Sequence, residues 1–181
     1  MANWYMLTLV GADQPGIVAK ITKSLLTAQC NLGEASMMRL GGNFTVMLMV
    51  SIDTPSGNSP NDGADTIRRL MTPCCDELSL HLHIDEIQGH LHDHQIPDVR
   101  VIVCGADRAG IVSQVTESLF EAGMHILDLN SDVAGSTENP IYIMQIEGIA
   151  TQGIDAIELA VQKINDDGID IKVQSIDTFV G

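Results

Sequence analysis

The sequence predicts an α+β protein: two ferredoxin-like βαββαβ units in tandem, each an antiparallel four-stranded sheet with two helices on one face. Three observations carry this prediction. First, the chain repeats itself, because Asp13-Gln14-Pro15-Gly16-Ile17-Val18 returns as Asp107-Arg108-Ala109-Gly110-Ile111-Val112. The register holds without a gap, with Gly11, Ala12, Thr22, Ser24, Leu25 and Ala28 matched by Gly105, Ala106, Thr116, Ser118, Leu119 and Ala122. Two copies, each long enough to bury a core, mean two domains rather than a solenoid. Second, each copy sets apolar runs of strand length and apolar stripes of helical spacing in the same order. Third, 181 residues leave room for two units of about 90. The expected division is a first domain over 1–87, a linker over 88–97 and a second domain over 98–181.

The elements follow in order. Trp4–Val10 is an apolar run that stops at Gly11 and reads as a first strand. Asp13 can cap a helix start, Pro15 sits where a missing N–H does no harm, and Gly16 permits a tight turn or a close approach. From Gly16 to about Gln29, the residues Ile17, Val18, Ile21, Leu25 and Ala28 form a helical stripe. Leu32–Leu40 and Phe44–Ile52 are strands joined by a Gly41-Gly42-Asn43 turn. A polar loop over Thr54–Gly63 leads to a helix carrying Ile67, Leu70, Met71 and Cys74, and Leu78–Glu86 alternates as the fourth strand. The linker Gln88–Pro97 is polar and histidine-rich. The second copy runs through strand Asp98–Cys104, a helix with Ile111, Val112, Val115 and Leu119, and strand Ile126–Ala134. A turn over Gly135–Pro140, strand Ile141–Gly148, a helix with Ile157, Ala160, Val161 and Ile164, and strand Ile169–Ile176 complete it. One face of each sheet stays open, and such folds manage this by pairing sheets or edges.

Composition narrows the function. Hydrophobic residues make up 45% of the chain but aromatics only 3%, so the cores are aliphatic, with the nine methionines as fillers. Met37, Met38, Met47 and Met49 cluster on two strands and are expected to fill the core, the alternative being a methionine-rich recognition surface. The net charge of −15 argues against direct binding to nucleic acid, which needs a basic patch. Residues 1–86 hold nine acidic and five basic side chains, against fifteen and four in 87–181. The second half is therefore either the more solvated half or a docking surface for a basic partner. Cys30, Cys74, Cys75 and Cys104 have neither zinc spacing nor disulfide density. No basic-then-apolar leader and no membrane-length apolar run is present, so a cytoplasmic protein without membrane contact is expected.

Candidate chemistry lies in two places. The free N–H groups at a helix start behind the glycine turn can receive a carboxylate. Asn31 ends the first helix and is expected at the same end of the fold as Asp13 and Gly16, where its amide or the Asp13 carboxylate can take an ammonium group. That chemistry fits an amino-acid zwitterion. The plain alternative is a structural turn with Asn31 as a turn residue. The second place is histidine-rich: His81 and His83 point to one face of a strand, and His90, His92 and His94 follow in the linker. These five can gather a divalent metal, or can be a solvated strand edge and linker. No nucleophile elbow, phosphate-binding loop, dinucleotide fingerprint or zinc-hydrolase motif occurs, so no cofactor and no catalysis are expected.

Asp13-x-Pro15-Gly16-Ile17-Val18 before a helix and Asn31-Leu32 after it, within a βαββαβ unit, resemble the ACT domain. Two such units filling a chain of this length are similar to the glycine cleavage system transcriptional repressor family. The resemblance covers about residues 3–86 and 98–178. It implies a regulatory module that binds an amino acid, usually between two copies, and acts on a protein partner rather than on DNA. By the family pattern Asp13, Pro15, Gly16, Ile17 and Asn31 line the ligand site of the first repeat. Asp107, Gly110 and Ile111 carry over to the second, which departs from the pattern at Ala109 and at His125, where the asparagine would stand. The expectation is a non-catalytic sensor of a small amino acid, glycine first, that forms a homodimer and controls a regulatory protein. The alternatives are a detached regulatory subunit of an amino-acid metabolic enzyme and a histidine-cluster metal protein.

Overall fold

The structure is a computed structural model that describes residues 3–52, 60–87, 95–106, 109–136, 139–164 and 169–176. The chain divides into two compact units, Met1–His92 and Asp93–Gly181. The first unit contains β1 (Asn3–Ala12), α1 (Ile17–Thr27), β2 (Asn31–Leu40), β3 (Asn43–Ile52), α2 (Pro60–Leu78) and β4 (His81–Glu86). The second contains β5 (Val99–Ala106), α3 (Ile111–Glu121), β6 (Met124–Ser136), β7 (Asn139–Ala150), α4 (Ile154–Gln162) and β8 (Ile169–Ser175). The sheets have strand orders β2-β3-β1-β4 and β6-β7-β5-β8, and every pairing is antiparallel. Two tandem ferredoxin-like units are therefore the architecture.

Alternation puts one set of side chains under the helices. In the first unit, Tyr5, Leu7 and Leu9 of β1 and Phe44, Val46, Leu48 and Val50 of β3 are buried against Ile17, Ile21, Leu25, Ile67 and Met71. In the second, Val99, Val101 and Val103 with Met144 and Ile146 meet Val115, Leu119, Ile157 and Val161. The β2–β3 hairpin closes on Gly41 (φ 55) and Gly42 (φ 82), two successive positive φ values as a type I′ turn requires. Residues 137–138 of the corresponding β6–β7 turn lie outside the described residues.

Three expectations are corrected. The fourth strand does not begin at Leu78. That residue is the last of α2, and Ser79 (φ 52) and Leu80 close the helix by donating N–H groups to the Asp76 and Cys75 carbonyls at 3.2 and 2.8 Å. The leucine alternation thus spans a helix end, a cap and a strand. Next, α2 starts at Pro60, inside the expected loop. Gly63 is helical, and an added Cβ there would lie 2.0 Å from the Tyr5 Oη. The glycine lets α2 pass over the Tyr5 ring and does not mark a loop. Finally, three of the four clustered methionines do not fill the core: Met37 and Met38 are each 53% exposed and Met47 44%, whereas Met49 is buried. All ten residues of β2 are exposed, because it is an edge strand lying outside the cover of the helices.

Cys30, Cys74 and Cys75 are buried. Burial, with smaller contributions from Cys74 and Asp76, pushes the Cys75 thiol from 9.0 up to about 11. The folded protein therefore holds this proton more tightly than the unfolded chain does. The stability this gives is complete below pH 9.0 and is lost as pH rises through about 11. Urea unfolding of wild type and Cys75→Ala across that window should show a steeper decline in wild type; equal slopes would remove the effect. Gly63→Ala should cost about 1–3 kcal/mol by overpacking against Tyr5, read as a lowered thermal midpoint.

Candidate functional site

The turn between β1 and α1 is built by backbone conformation. Gly16 is the residue that starts α1, with φ 84, and no side chain caps the helix. No atom lies within 4 Å of the place where its Cβ would be. Glycine is therefore required for its left-handed backbone, and the space in front of it is open. The first helical hydrogen bond runs from the Lys20 N–H to the Gly16 carbonyl at 3.0 Å. The N–H groups of Ile17, Val18 and Ala19 consequently have no partner within the helix. No acidic side chain stands in the first turn to compete for them. The second repeat copies this geometry: Gly110 has φ 90, open space at its Cβ position, and a Gln114 N–H to Gly110 carbonyl bond of 2.9 Å.

Asp13 does not cap the helix. Its carboxylate forms an ion pair with Arg39 near the end of β2, and its N–H donates to the Gly42 carbonyl at 2.9 Å. The Gln14 side-chain amide donates to the Leu78 carbonyl at 2.8 Å. Neither Arg39 nor Gln14 is singled out by the sequence, and only the register of β2 against β3 brings Arg39 beside the turn. Pro15 is exposed and lies before the helix. Ile17 and Ile111 are 2% and 3% exposed, so their side chains belong to the cores and only their amides face the turn. Asp107 lies outside the described residues.

Asn31 is not at this end of the domain. It pairs with Ser51, which also faces Trp4 at the start of β1, while the Asp13 end aligns with Asn43 and Leu40. Eight strand positions separate Ser51 from Asn43, roughly 27 Å at a strand's rise. Helix α1 carries the chain back along the sheet, so its two ends face opposite ends of the domain. His125 stands likewise at the far end of its sheet from Gly110, paired with Ile149 while the β5 end faces Ile141. A single domain cannot close both residues on one small ligand.

His81 and His83 lie on the outer face of β4, opposite Val10 and Thr8, and His83 Nε2 is 3.0 Å from Asp85. His90, His92 and His94 lie outside the described residues. Among the described residues, no three histidine, cysteine or carboxylate side chains gather in one place. Open grooves of about 360 Å³ between α3 and α4, and about 290 Å³ between α1 and α2, sit toward the C-terminal ends of α1 and α3, away from the glycine turns. Among the described residues, no helix is long and apolar enough to cross a membrane.

Residues 5–85, which run from within β1 to within β4, match the family model of the ACT domain. The first unit is therefore ACT-like, and the second repeats its strand order. It is 35% identical over 49 residues to the glycine cleavage system transcriptional repressor of Escherichia coli, a match spanning 27% of this chain and 26% of that protein. It is 29% identical over 89 residues to the UPF0237 protein lin0537 of Listeria innocua, spanning 48% of this chain and 94% of that one. Two solved structures share the fold. An unknown protein from Galdieria sulphuraria superposes with a TM-score of 0.77 at 19% identity, covering 98% of this chain and 100% of that one. A candidate glycine cleavage system transcriptional repressor gives 0.68 at 17% identity, covering 98% and 99%.

The ACT turn makes a conformational prediction. Gly16→Val should destabilise by about 1–2 kcal/mol, the cost of a left-handed backbone. Gly16→Asn should cost less, since asparagine tolerates that region. Chemical denaturation checks this; a valine variant as stable as wild type would mean that φ is not held positive in solution.

Proposed function

We propose that this protein is a non-catalytic regulator that senses a small amino acid at the turn of its first ACT domain and thereby alters docking to a regulatory protein. The observation that supports the reading best is the open helix start: three unpaired N–H groups behind a left-handed glycine, in a domain of the ACT family. A carboxylate suits that position, both by hydrogen bonding and by the helix dipole. Glycine is the first ligand to test, because the repressor relative bears glycine cleavage in its name. A protein partner in amino-acid or one-carbon metabolism is favoured over DNA by the net charge of −15.

The distance between Gly16 and Asn31 bears on oligomerisation. If β2 paired antiparallel with β2 of a second chain, Asn31 of one chain would approach the Asp13–Gly16 turn of the other. The strand is suited to this: it is an edge, and Leu32, Met37 and Leu40 are 45%, 53% and 68% exposed. The ligand would then contact both chains and shift the balance between pairing states, as differential affinity requires.

A thermal-shift screen of the twenty amino acids tests the sensor. A ligand at about 100 times its Kd adds about 2.7 kcal/mol, so a shift of several degrees is expected with glycine or a close analogue. Asn31→Ala, an exposed change, should abolish the shift while leaving the unliganded midpoint in place. A flat response to every amino acid would sink the reading.

A further inference from the structure

The first repeat holds its turn from three directions. Arg39 reaches it from β2 through the Asp13 carboxylate, Gly42 holds it through the Asp13 N–H, and Leu78 at the end of α2 holds it through Gln14. The Asp13 side chain is 24% exposed and that of Arg39 is 66% exposed, so the carboxylate sits inside and the guanidinium lies over it. A pair this open contributes little to global stability. It does fix where the residues just before Gly16 run, and hence which way the amides of Ile17 to Ala19 point.

Among the described residues, the second repeat shows no counterpart of the pair. Val133 stands at the position of Arg39: Arg39 faces Phe44 and Val133 faces Tyr142, in hairpins of the same register. Val133 is 53% exposed and carries no charge to hold a carboxylate. The two turns share a glycine conformation, but Val133 offers no charge with which to tie the second to its neighbouring strand.

We propose that Arg39 is a positioning residue that acts through Asp13 to preorganise the ligand turn of the first repeat, and that ligand binding is confined to that repeat because Val133 cannot do the same. This rests on the sensor reading of that turn. Preorganisation lowers the ordering cost of binding without adding a contact to the ligand. A loose turn can reach the same shape, but its apparent affinity falls by the fraction of time it spends there.

The role of Arg39 can be measured without any ligand, by amide hydrogen exchange on the full chain. In Arg39→Met, exchange across residues 13–20 should quicken roughly fivefold while the thermal midpoint stays put. The charge swap Asp13→Arg with Arg39→Asp should restore the slow rate, which a loss of mere side-chain bulk would not. Segment 109–114 should exchange faster than 15–20 in wild type and be unmoved by either change. Equal rates in wild type and Arg39→Met, or a swap that fails to restore them, overturn the positioning role. Titration with glycine supplies the second arm: one site per chain is expected, weakened roughly fivefold in Arg39→Met. Two sites per chain overturn the confinement. No glycine binding would count against the sensor reading and the confinement, while the exchange rates still decide what Arg39 does.

Discussion

Two helices cannot cover four strands. That constraint decides most of what distinguishes this molecule. Over β1 and β3 the cover is complete, and their inward side chains, from Tyr5 and Leu7 to Val46 and Val50, are buried almost without exception. The edge strand β2 lies beyond it, and all ten of its residues stay accessible. The position of a residue in the strand order therefore outweighs its hydrophobicity. Met37 and Val46 face each other across the hairpin, yet Val46 is 3% exposed and Met37 is 53% exposed. An uncovered strand with an unpaired backbone edge and large apolar side chains is suited to receiving another strand.

The two repeats meet this constraint with different surfaces. On the outer face of the first sheet lie Met6, Met47 and Met38, with Trp4 set against the Gly33 backbone. The second sheet carries charge at comparable places: Arg100 binds Glu147 at 2.7 Å, Lys172 lies 3.9 Å from Asp170, and Asp128 and Asp132 lie along edge strand β6. Charges along an edge discourage strand addition, whereas methionines adapt to whatever packs on them. The interior pattern of the first helix is the same in both repeats, since Gly16, Ile17, Ile21 and Leu25 correspond to Gly110, Ile111, Val115 and Leu119. What diverged was the part that meets solvent or partners, and the excess acid of residues 87–181 is one expression of that.

The fold was legible because its signals are local. Strand alternation, helical stripes and glycine turns each span a few residues, and the repeat read them twice. Where reading failed, a backbone closure or a contact distant in sequence had overruled the alternation or turn pattern. Gly63 looks like a loop residue until the Tyr5 ring is placed beneath it. Leu78, Leu80, Leu82 and Ile84 alternate like one strand, but the Schellman closure through Cys75 and Asp76 divides them. The glycine turns could be found from sequence, whereas the Asp13–Arg39 pair could not, because it depends on strand register. The misplacement of Asn31 is of another kind. It is adjacent to a helix whose start is Gly16, but an eleven-residue helix is about 16 Å long. Its two ends cannot share a small ligand, and helix length alone could have revealed this.

That separation bears on how a sensor of this form could work. A helix start recognises negative charge, and charge alone does not tell one amino acid from another or from any small anion. Selectivity needs a second wall that reads the ammonium group and the size of the side chain. In this domain the asparagine expected to supply it stands about eight strand positions away, too far to close on the same molecule. If a second chain supplies the wall, recognition and assembly become a single equilibrium. Linkage then requires that whatever factor pairing adds to ligand affinity, the ligand adds to pairing. Signalling would need no strained hinge or catalytic step, only two weak half-sites that become one good site when the edges meet.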